Sequence, residues 1–131
     1  QLAALDSRRP VSLQPMMAWH QKQSMMDHLA VIQEVTDALS REDWSSIATA
    51  SARIESSEEM ARSCEHMGAR ADGFTALALD FHRRADGIGE AALRKDRVGV
   101  LTATADTLAA CTGCHSQFRQ ELVSAESWSE R

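Results

Sequence analysis

Residues 98–122, VGVLTATADTLAACTGCHSQFRQEL, decide how the rest of the chain is read. Val98, Leu101, Ala105, Leu108, Cys111, His115, Phe118 and Leu122 recur in steps of three and four, the spacing of one face of an α-helix. The stretch predicts an amphipathic helix over about 98–122. Inside it stands Cys111-Thr112-Gly113-Cys114-His115. On a helix, positions 111, 114 and 115 share a face, so one turn presents two thiols and an imidazole together.

The segments upstream repeat the helical rhythm. Pro15 sits where a first helical turn tolerates proline, and Met25, Leu29, Ile32, Val35 and Leu39 lie along one face of a helix expected over about 16–39. Ser40 and Asp43 are start signals for a second helix carrying Trp44, Ile47 and Ile54 inward. Ser56 and Glu59 have capping-box spacing, so a further segment is expected from there to about Gly68. Another helix is expected from about Asp72 to Leu93, with Phe74, Leu77, Phe81, Ala85, Ile88 and Ala92 inside and Gly87 and Gly89 as weak points. Residues 1–13 read as an extended lead-in. With the second helix and the segment up to Gly68 counted as one interrupted helix, four amphipathic segments with short connections imply an all-α fold, an antiparallel four-helix bundle, as a single domain over residues 1–131.

Composition supports helices: with 2 Pro, 6 Gly and no Tyr, a sheet protein is disfavoured. A formal charge of −5 offers no basic stripe for nucleic acid. No apolar run is long enough for a membrane span and no charged leader is visible; the start at Gln1 without Met reads as a processed chain. Three cysteines fit a disulfide framework poorly and suit one paired use with Cys64 left over as a small, partly buried hydrophobe. No acid–base pair, phosphate loop or nucleophile arrangement stands out, so the chain is not expected to be an enzyme.

The pentapeptide at 111–115 is the attachment signature for haem c. Two thiols add to the two vinyl groups of the porphyrin, and the adjoining imidazole reaches the iron. A thioredoxin-like pair would need a βαβ context, and a structural zinc site would need a second set of ligands. Neither is evident. The expected cofactor is therefore one haem c held through Cys111 and Cys114, with His115 as an axial ligand. Thioether attachment requires reduced cysteines and an export-side assembly apparatus, which points to a bacterial periplasm.

The position of the motif, in CTGCHSQFR near the end of the last helix, and KQSMMDHL in the first helix resemble the cytochrome c′ and cytochrome c-556 family of class II c-type cytochromes. The likeness covers about residues 14–124. It implies an antiparallel four-helix bundle, often a homodimer, with haem between the helices. It also implies that the residue over the iron in helix one sets the function: a methionine for electron carriers, an apolar side chain for five-coordinate proteins that bind NO or CO.

Helix one offers Met25 and Met26, about 100° apart around the axis. Periodicity favours Met25, which continues the apolar stripe. The resemblance favours Met26, because Lys22-Gln23-Ser24-Met25-Met26 looks like the family's Arg-Gln-x-x-Met or Arg-Gln-x-x-Leu, with Lys22 in place of the usual Arg. His28 is the next competitor, since imidazole suits iron. Met16, Met17 and Met67 read as core filler, His66 and His82 as histidines hydrogen-bonded to backbone or solvent, and His20 ranks below His28 as a ligand. Arg119, four residues after His115, is expected one helical turn on, beside the proximal imidazole as the family implies. The expected function is electron transfer through a His115/Met iron, with a redox protein as partner. The alternative is a gas-binding cytochrome c′.

Overall fold

The computed structural model describes residues 2–129. It is mostly helical with one small sheet: a short 3₁₀ turn at Leu2–Leu5, β1 at Arg9–Leu13, then α1 (Pro15–Ser40), α2 (Trp44–Ser51), α3 (Glu58–Gly68), α4 (Phe74–Leu93), α5 (Arg97–His115), β2 (Phe118–Leu122) and α6 (Ala125–Ser129). Among these residues no helix is long and apolar enough to cross a membrane.

Two three-residue connectors, 41–43 and 94–96, are built alike. After α1, Glu42 takes a left-handed conformation (φ 53°) while its N–H donates to the Leu39 carbonyl and that of Asp43 to the Ala38 carbonyl. After α4, Lys95 does the same (φ 52°), with Lys95 and Asp96 donating to Ala92 and Ala91. Each turn is a Schellman ending whose next residue is already the following N-cap. Asp43 accepts from the Ser46 N–H, and Asp96 from that of Gly99. An ion pair between Arg97 and Glu42 ties the two turns together.

Helices α4 and α5 form an antiparallel hairpin, as the pairings of Arg84 with Asp106 and of Gly87 with Ala103 require. Along its other side α4 packs on α2 and α3. Gly89 permits that approach: a Cβ there would lie 2.5 Å from Glu55 Oε1 and 3.1 Å from Ser51 Oγ. The main core joins Val31, Ile32, Val35, Ala38 and Leu39 of α1 to Ile47, Ile54, Phe81, Ala85, Ile88 and Val100. A second, smaller core gathers Val11, Leu13, Ala18, Phe74 and Phe118, with Met17, Met67 and Cys114 against it.

Several expectations change. The helix expected over 98–122 stops at His115, and Phe118–Leu122 instead pairs in parallel with Arg9–Leu13, Arg9 opposite Phe118 and Leu13 opposite Leu122. The lead-in is therefore half strand, anchored by buried Val11 and Leu13. The inward face of α5 also differs: Val98 and Leu101 are exposed (71% and 53%), whereas Val100, Thr104 and Thr107 are buried. The hydroxyl of Thr107 is satisfied within the helix by the Ala103 carbonyl at 2.7 Å, so threonine can face the core. The cap of α3 is Ser57, not Ser56; Ser57 accepts from the Met60 N–H, and Ser56 binds Asp86 of α4 instead.

Candidate functional site

A cavity of about 450 Å³ lies between the two cores, walled by α1, α3, α4 and the end of α5. That volume is in the range of small-molecule and cofactor pockets. Cys111 packs against the larger core and Cys114 against the smaller, so one turn of α5 bridges them. His115 closes the same wall. Local side chains brace the turn: Thr112 Oγ donates to the Ala109 carbonyl, and Ser116 Oγ and Gln117 Nε2 both donate to the Gly113 carbonyl.

The opposite wall comes from α1. Met25, Met26, His28, Leu29 and Ile32 line the cavity, joined by Met60, Cys64 and Met67 of α3 and by Phe74, Leu77, Phe81 and His82 of α4. Neither methionine of the expected ligand pair is packed away, Met25 being 37% exposed and Met26 63%. The apolar stripe expected of α1 is thus split: Ile32, Val35 and Leu39 enter the core, while Met25 and Leu29 face the cavity region.

The electrostatics of the lining are those of a largely apolar enclosure. Burial pushes the thiols of Cys111, Cys114 and Cys64 up from their ordinary value. His28 stacks on Phe81 (4.5 Å between centroids, 26°) and meets His82 edge-on at 5.3 Å. Burial first, and nearby His82 second, lower its pKa to about 4, with Asp27 opposing. His82 is buried, with Nδ1 2.8 Å from the Ile54 carbonyl, the backbone bond expected of it. Burial lowers its pKa too.

The cavity thus brings together six of the candidate attachment and ligand residues singled out in the sequence: Cys111, Cys114, His115, Met25, Met26 and His28. Two others lie elsewhere. Lys22 is exposed on α1 and outside the lining. Arg119 is not one helical turn beyond His115, because the helix has ended; it sits on β2, 3.6 Å from Glu121. The cation that reaches the end of α5 is Arg8, which sequence reading passed over because nothing local links it to His115. Arg53 and Asp27, an ion pair on the rim, were likewise missed. Compared with known proteins, the chain finds no significant match among family models, curated proteins or solved structures.

Proposed function

We propose that the chain is a periplasmic monohaem c-type cytochrome that carries electrons, with α1, α2–α3, α4 and α5 forming an antiparallel four-helix bundle around the cofactor. One observation carries this reading: Cys111, Cys114 and His115 of CTGCH line a single, largely apolar cavity whose facing wall carries Met25 and Met26. The donor set fits haem. Each thiol S–H adds across one vinyl double bond, forming a C–S and a C–H bond with no net oxidation. In the fold, burial raises both Cys111 and Cys114, which favours thiol over thiolate. The apolar walls, Ile32, Phe74, Leu77 and Phe81 among them, suit the macrocycle and exclude water from it.

Bound haem supplies an iron that shuttles between ferrous and ferric states. His115 would hold that iron from α5 and Met26 from α1, with Met25 and then His28 as the competing donors. A thioether favours the ferrous state, so it raises the potential at which the electron is released. The proposed partner is a redox protein. A homodimer is compatible with the same arrangement.

A second reading, a five-coordinate site for NO or CO, draws on the exposure of Met26, which leaves that side chain free to step aside. Mass spectrometry and a reduced-state spectrum, taken on protein made with a haem-attaching apparatus, test both. Electron transfer predicts the mass of one added haem and a low-spin ferrous spectrum slow to take up CO. A high-spin ferrous spectrum with rapid CO binding favours the gas-binding reading. The bare polypeptide mass overturns both.

A further inference from the structure

Asp27 separates Met26 from His28 on α1, and Arg53 holds it in an ion pair. The same guanidinium takes Glu34, two turns further along α1, at 2.6 Å. One planar group is thus forked between two carboxylates of a single helix face, a more fixed arrangement than a lone surface pair. Arg53 belongs to the irregular segment between α2 and α3, and its neighbour Ile54 is fully buried. The Ile54 carbonyl pairs with His82, whose ring meets His28 edge-on. Consecutive residues 53 and 54 therefore grip the turn 25–28 from two sides, outside through Asp27 and inside through His28.

Resting on the haem reading above, the geometry points to Arg53 as a positioning residue that sets which α1 side chain faces the iron. Met25, Met26 and His28 occupy different azimuths on one turn, neighbours being about 100° apart. Exchanging one donor for the next requires a twist of that order in the turn. Anchoring Asp27 at the rim resists the rotation without touching the ligand itself.

The test uses the haem-loaded full chain, with spin state read from the absorption and electron paramagnetic resonance spectra and with CO association timed. R53Q should convert a uniform low-spin spectrum into a mixture and speed CO association by about fivefold, near the most that an exposed ion-pair network sustains. D27N should act in the same direction, E34Q more weakly, and R53K should fall between R53Q and the parent. R97Q, which breaks the remote ion pair with Glu42, should leave the spectrum unchanged. If R53Q fails to fold, R53K and D27N decide the matter alone. Variants with attached haem and parental spectra and CO rates overturn the positioning role while leaving the cytochrome reading intact. A parent chain that takes up no haem overturns the cytochrome reading, and the positioning role with it.

Discussion

Arg8 donates to the main-chain carbonyl of His115 across 3.3 Å, linking the segment before β1 to the last residue of α5. Its Nε and other terminal nitrogen fork onto Asp6 at 2.9 and 2.8 Å, which aims the guanidinium. The last carbonyls of a helix lack intrahelical partners and carry the negative end of the dipole, so a cation there is favourable. Neighbouring Arg9 adds an N–H bond to the Gln117 carbonyl at 2.7 Å.

This latch should weaken in acid. The hydrogen bonds from Arg8 lower the pKa of Asp6 from 3.8 to about 2. A carboxylate depressed in the fold stabilises it above the unfolded pKa and loses that contribution as pH falls through the folded one. The loss therefore falls between pH 3.8 and about 2. Because both side chains meet solvent, salt should shrink the effect. Acid unfolding of D6N beside the parent checks it: the variant should lose stability at neutral pH and converge with the parent near pH 2.

The face that α5 presents can be tested by two valines. Val100→Ala should cost about 2 kcal/mol, for two buried carbons and the space they leave. Val98→Ala, at a position 71% exposed, should stay within about 0.5 kcal/mol of the parent. Urea unfolding decides, and a larger loss at 98 would restore the helical face expected from hydropathy.

The connector after α4 carries strain that one substitution relieves. A non-glycine residue in the left-handed region costs about 1–2 kcal/mol, and glycine repays part of the gain through a freer unfolded chain. Lys95→Gly should therefore raise stability by about 0.5–1 kcal/mol, visible as a higher melting temperature.

Gly113 separates fold from function. A Cβ added there would meet no atom within 4 Å beyond its own helical backbone and chain neighbours, so protein packing does not require glycine. Gly113→Ala should leave the helical fold unchanged or slightly more stable by circular dichroism, by up to about 1 kcal/mol. If the macrocycle lies against this backbone, the same variant should lower the yield of covalent haem by mass spectrometry.

Much of the helical layout was legible because its signals are local. Pro15 and the cap at Asp43 mark the starts of α1 and α2, and the expected span 16–39 differs from α1 by one residue at each end; Asp96, the cap of α5, was passed over. The end of α5 was not legible. Phe118 and Leu122 continue the three-and-four rhythm, yet they belong to a strand whose partner is Arg9–Leu13, a pairing no window of sequence contains. The inward face of α5 was misread because its buried positions include Thr104 and Thr107, which hydropathy discounts. At the site, the CTGCH turn announced itself, and α1 drew attention through its methionines. Arg8 and Arg53 act across long separations and leave no local trace.

The parallel ribbon of β1 and β2 has a consequence for the order of assembly. Parallel strands cannot meet through a tight turn, and here every main helix lies between them. Their contact closes one of the longest loops in the chain and should form late. As the polypeptide is synthesised, β1 emerges early and waits for residues 118–122 before it can pair. Cys111 and Cys114 appear just ahead of that event. Any machinery that works on the two thiols therefore has its freest access in the interval before the ribbon closes, and closing it seals the finished turn in place.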